Sequence, residues 1–84
     1  MYEIYLERAA QQDLKRLSAK HFYRIISSIK TLADDPRPES CRKLSASRND
    51  WRIRVGDYRI VYEIDDKQKI VNVMRIRHRR EAYR

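Results

Sequence analysis

Eighty-four residues with a formal charge of +8 leave room for one small, strongly basic domain and no second core. The single cysteine, Cys41, excludes an internal disulfide, and no stretch has the makings of a signal peptide or a bilayer span, which points to a reduced, cytoplasmic protein without a membrane role. Cys41, His21 and His78 are scattered without ligand spacing, so neither a metal centre nor a cofactor is expected.

The charge is lopsided. Residues 1–41 carry seven Lys/Arg against six Asp/Glu, whereas residues 42–84 carry thirteen against six. Arginine supplies 14 of the 20 basic residues, and its planar fork suits phosphate better than lysine does. The second half is therefore the expected anion-binding surface and the first half its scaffold.

In chain order, residues 2–6 alternate, with Tyr2, Ile4 and Leu6 on one side, and predict an opening strand. Ala10, Leu14 and Leu17 then follow helical spacing and predict a helix over about 8–17. Ser18 is placed to cap a second helix whose apolar stripe is Phe22, Ile25, Ile26, Ile29 and Leu32. Asp35-Pro36-Arg37-Pro38 stops it, since proline blocks helix continuation and pushes its predecessor out of the α region. Residues 39–50 show no period and read as loop.

Three strand-like runs follow, over about 51–55, 58–64 and 69–77, with Gly56-Asp57 and Asp65-Asp66-Lys67-Gln68 as short connections. Connections that short demand antiparallel neighbours, hence a meander. Trp51/Ile53/Val55, Tyr58/Ile60/Tyr62/Ile64 and Ile70/Met74/Ile76 are expected to face the helices. The other face is expected to carry Arg52, Arg54, Arg59, Val61, Val71, Val73, Arg75 and Arg77, because strand side chains alternate with period two. The predicted class is α+β: a strand, a two-helix hairpin and a three-stranded meander in one domain over 1–84, helices on one sheet face and a basic groove on the other. Any one of these arginines reads as a solvated surface charge. At matched parity on adjacent strands, they read together as a surface for a polyanion.

Trp51-Arg-Ile-Arg-Val-Gly-Asp-Tyr-Arg-Ile-Val-Tyr-Glu-Ile64 and His78-Arg-Arg-Glu-Ala-Tyr83 resemble the RelE branch of the RelE/ParE toxin superfamily. Glu7-Arg-Ala-Ala-Gln-Gln-Asp-Leu-Lys-Arg-Leu17 is similar to that family's opening, and Asp34 to Leu44 to its helix-to-sheet linker. The resemblance covers essentially the whole chain. It implies a type II toxin that cuts mRNA in the ribosomal A site, with the RNA's own 2′-OH attacking the adjacent phosphate and no metal needed. It also implies a cognate RelB-like antitoxin partner, with further assembly of toxin–antitoxin pairs open. Carried over by position, it assigns two basic strand residues to Arg52 and Arg54, the arginine of a Tyr-Arg pair to Arg59, a late-strand arginine to Arg79 and a C-terminal tyrosine to Tyr83. Arg59 and Arg79 are the expected phosphate clamps. Tyr83 is expected to stack on a base or relay a proton. Arg75, Arg77 and Arg80 are left as RNA or ribosome contacts.

This chain departs from better-known relatives in having arginines, not lysines, at 52 and 54, and arginine is a poor general base. Proton removal therefore falls to His78, to Glu81 or to solvent. Two other classes stay open: a ParE-like inhibitor of DNA gyrase, and a non-catalytic basic RNA- or ribosome-binding module.

Overall fold

The computed structural model describes residues 1–44 and 49–80. In chain order it holds β1 (Glu3–Leu6), α1 (Arg8–Lys15), α2 (Ala19–Thr31), β2 (Arg42–Lys43), β3 (Asp50–Val55), β4 (Tyr58–Asp65) and β5 (Ile70–His78). The five strands form one sheet in the order β1-β5-β4-β3-β2. The β3-β4-β5 meander is antiparallel, as its short connections require. β1 returns to the far edge and pairs with β5 in parallel, which the α1–α2 crossover makes possible. The two-residue β2, which the patternless stretch before Trp51 did not announce, adds the opposite edge.

Helical spacing does its expected work. Ala10 and Leu14 of α1 and Ile25 and Ile29 of α2 are buried, together with Leu32 just beyond it. Ser18 holds the extended backbone of an N-cap, yet its hydroxyl makes no capping bond. After α2, the linker is pinned from the sheet: Tyr62, fully buried, donates its hydroxyl to the Pro36 carbonyl at 2.7 Å. Burial pushes the Tyr62 phenol above its ordinary pKa, so it stays a donor.

A second tie crosses the same end of the sheet. Asp66, in the β4–β5 turn, accepts the Tyr2 hydroxyl at 2.6 Å and a two-pronged contact from Arg37 at 3.2 and 2.9 Å. Arg37 also lies over the Trp51 ring, 5.1 Å from its centroid, so Trp51 packs against the core and the linker, as expected of it.

The Gly56-Asp57 hairpin joins paired residues Val55 and Tyr58. Gly56, the chain's single glycine, takes φ +60°, as the first centre of a type II′ turn does. A Cβ there would also sit 3.1 Å from the guanidinium of Arg24 on α2.

One part of the predicted face assignment is wrong. Val71 and Val73 are buried in the helix-facing core with Ile76, while Ile70 and Met74 are not in it. The cause is a β-bulge. Val61 pairs with Arg75 and the next residue, Tyr62, with Val73, so Met74 is extra and the parity of β5 changes there. Before the bulge odd residues face the helices; after it, even ones do.

Candidate nucleic-acid interface

The sheet face away from the helices is built by β3, β4 and the end of β5. Directly across it, Arg54 pairs with Arg59 and Arg59 with Arg77, which puts three arginines in one row. With strands about 4.8 Å apart, their stems start within about 10 Å of each other. Like charges placed directly opposite each other destabilise a sheet. The middle member is also the most enclosed: Arg59 is 8% exposed, the one buried charged side chain among the described residues. Arg54, by contrast, is exposed. A guanidinium sunk between two others is a poor way to stabilise a sheet and a good way to preorganise N–H donors for an anion.

The next row toward the β4–β5 turn is Arg42, Arg52, Val61 and Arg75. Arg75 does not serve the face in the way its parity suggests. At the bulge its Nε donates to Asp13 of α1 at 2.9 Å and its Nη2 at 3.2 Å. The same carboxylate accepts the Ile76 amide at 2.9 Å, capping the β5 edge where β1 has ended. Arg75 is thus a tie between helix and sheet.

Arg79 lies just beyond the end of β5, its amide donating to the Asp57 carbonyl at 2.6 Å across the hairpin, so it stands past Arg77 at the turn end of the face. Arg80 is exposed and gives its amide to His78 Nδ1 at 3.2 Å. Asp57, His78, Arg79 and Arg80 line a hollow at this end.

His78 does not join the row. It pairs across from Tyr58, and its ring meets the Tyr58 ring edge-on at 5.2 Å, while the His21 ring of α2 lies tilted 5.2 Å from the Tyr58 ring. With Asp13 of α1 and with Arg16 and Leu17 just beyond that helix, it lines a hollow on the helix side. By parity residue 78 falls with Ile76 and not with Arg77, so His78 borders both the helix-side hollow and the hairpin-end hollow it shares with Arg79 and Arg80. Tyr58 and Tyr62 pack as expected. Tyr83 and Glu81 lie outside the described residues. Among the described residues no group of three or more metal-binding side chains occurs, and no helix is long and apolar enough to cross a membrane.

Arg42 was missed by sequence reading, because β2 is too short to show a period. The available signal was weak: a basic pair, Arg42-Lys43, before a run of alternating arginines.

Known proteins match this chain in sequence and fold. Residues 4–83 match the family described as the ParE toxin of the type II toxin-antitoxin system parDE. The putative toxin RelE1 of Methanocaldococcus jannaschii is 24% identical over 99% of this chain and 96% of its own length. A chain of the archaeal RelE–RelB complex from Pyrococcus horikoshii OT3 superposes with a TM-score of 0.83 at 24% identity, covering 93% of this chain and 94% of that one. A chain of the RelBE2 toxin–antitoxin complex of Mycobacterium tuberculosis does so with a TM-score of 0.80 at 26% identity, covering 93% and 98%. With nearly the whole sequence matched and the strand-helix-helix-meander order shared, this chain belongs to the ParE toxin family of type II toxin–antitoxin systems, within the RelE/ParE toxin superfamily.

Proposed function

We propose that this toxin is a ribosome-dependent endoribonuclease that cuts mRNA in the A site. The observation that supports this most is the Arg54–Arg59–Arg77 row with Arg59 buried at its centre. In the reaction, the 2′-oxygen bonds to the adjacent phosphorus and the P–O5′ bond breaks, leaving a 2′,3′-cyclic phosphate and a 5′-OH. Negative charge grows on the phosphorane oxygens, where fixed guanidinium donors act most strongly. Arg59 takes that position, flanked by Arg54 and Arg77, with Arg52 orienting the strand and Arg79 holding phosphate at the hairpin end. Water accepts the 2′-OH proton and supplies one to the leaving 5′-oxygen, since the His78 ring is packed edge-on against Tyr58. Tyr83 takes the stacking or proton-relay role that its match to the family's C-terminal tyrosine implies.

The partner in this reading is a cognate RelB-like antitoxin. The solved relatives were captured as RelE–RelB and RelBE2 complexes, and a basic face that is harmful when open calls for an acidic segment that folds over it.

A second reading has a specific observation behind it. The matching family is described as ParE toxin, and the resemblance to that side of the superfamily implies binding to DNA gyrase. A binding inhibitor gains nothing from sinking a guanidinium between two others, so the ribonuclease reading ranks first. Induction in bacteria followed by 5′-end mapping of mRNA separates them. Cuts within codons of translated messages, lost in the exposed-site variant Arg54→Ala, are expected. A DNA-damage response without such cuts establishes gyrase as the target and overturns the proposal.

A further inference from the structure

We propose that Ser40, Arg42 and Arg52 form a second phosphate-binding subsite at the β2 edge, holding the backbone of the message beside the phosphate at Arg59; this rests on the ribonuclease reading above. Ser40, Arg42, Arg52 and Arg54 line a hollow of about 370 Å³ with no carboxylate in its wall. Arg42 faces Arg52 directly across the β2–β3 pairing. The Arg42 head is held in place: Nη1 donates to the Cys41 carbonyl at 2.9 Å and, more weakly, to the Glu39 carbonyl at 3.4 Å. Among the described residues those are its only bonds, which leaves Nε and Nη2 as a fork for an outside acceptor.

The ligand's chemistry follows from what surrounds the hollow. Along β3, one same-face step of about 7 Å leads from Arg52 to Asp50, and along β4 from Val61 to Glu63. Asp50 and Glu63 pair with each other, so an acidic row borders the arginine rows on that side. The hairpin closes the other side. A polyanion laid along the strands would run onto carboxylates; laid across them, it passes Arg77, Arg59 and Arg54 and reaches Arg42 and Arg52 at the edge. A lone anion would use one of these sites. A single-stranded RNA backbone, with phosphates at regular intervals, uses both.

The test is equilibrium binding of a single-stranded oligoribonucleotide to the purified chain over a salt series, for wild type, Arg42→Gln and Arg42→Lys, with message cleavage on programmed ribosomes measured alongside. Arg42→Gln is expected to weaken binding about tenfold at low salt and to flatten the log–log salt slope by about 0.7, one phosphate's worth on a single strand. Arg42→Lys is expected to restore the slope while recovering only part of the affinity, and the loss on ribosomes is expected in KM more than in kcat. Wild-type affinity and slope in Arg42→Gln, with cleavage intact, would overturn the subsite and leave the ribonuclease reading standing. An effect seen on ribosomes but not on the oligoribonucleotide also overturns it, because the subsite would then hold ribosomal RNA. Weakened oligoribonucleotide binding in a chain that cleaves no message supports the subsite and removes the ribonuclease reading. Preference for duplex DNA overturns both.

Discussion

Arg59 and Asp66 show two opposite uses of charge in one small sheet. Arg59 is buried in a row of arginines, and the proposed use of its charge is to meet an incoming anion. Asp66 is surrounded by donors: the Arg37 hydrogen bonds, then the Tyr2 hydroxyl, hold its carboxyl down to about 2 from an ordinary 3.8. The folded chain therefore binds that proton more weakly than the unfolded chain does. The stabilisation is fully present above 3.8 and is lost as pH falls toward 2. Urea titrations of wild type and Asp66→Asn should differ at neutral pH and converge across that window; a constant gap down to the lower limit would contradict the assignment. At His78 the expectation is a negative one. Because its ring packs on Tyr58, His78→Ala should leave the pH profile of message cleavage unchanged, and a shifted acidic limb would return His78 to the chemistry.

At the scale of elements, the β5 bulge and the α1 tie are one device. Met74 is the extra residue, Arg75 turns to Asp13, and Asp13 also takes the Ile76 amide at the strand edge. Asp13→Ala removes an acceptor from that amide and from the Arg75 guanidinium, at a cost of about 1–3 kcal/mol. Asp13→Asn keeps an oxygen for the amide and should lose less. Urea midpoints rank the three, and an unchanged Asp13→Ala midpoint would show that the tie does not stabilise the fold. The bulge also marks where the sequence stopped being legible. In β3 and β4 the apolar residues other than Val61 keep one parity, so Ile53, Ile60, Tyr62 and Ile64 could be placed in the core by counting. In β5, Ile70, Val71, Val73, Met74 and Ile76 are apolar on both parities, and only pairing with β4 decides which of them turn inward. β2 was hidden for another reason: two residues are too few to show a period. The parallel return of β1 was hidden because pairing partners across the chain leave no local trace.

For the whole molecule, the helices and the linker ties hold one face of the sheet closed and leave the other to its arginines. That Arg54, Arg59 and Arg77 share a face was legible from spacing alone. Its internal grading was not: Arg59 buried, Arg75 tied to a helix, Arg42 paired with Arg52 at an edge and the His78 ring packed on Tyr58 are all consequences of pairing and packing. The central claim is that this face stabilises charge on a scissile RNA phosphate. Single-turnover cleavage of an A-site message on programmed ribosomes, by wild type and by Arg59→Ala shown to be folded by circular dichroism, tests it most directly. The expected result is a 5′ product ending in a 2′,3′-cyclic phosphate, formed about 100- to 1,000-fold more slowly by Arg59→Ala. Cleavage at the wild-type rate by the folded variant, or no cleavage by wild type while DNA gyrase is inhibited, would contradict it.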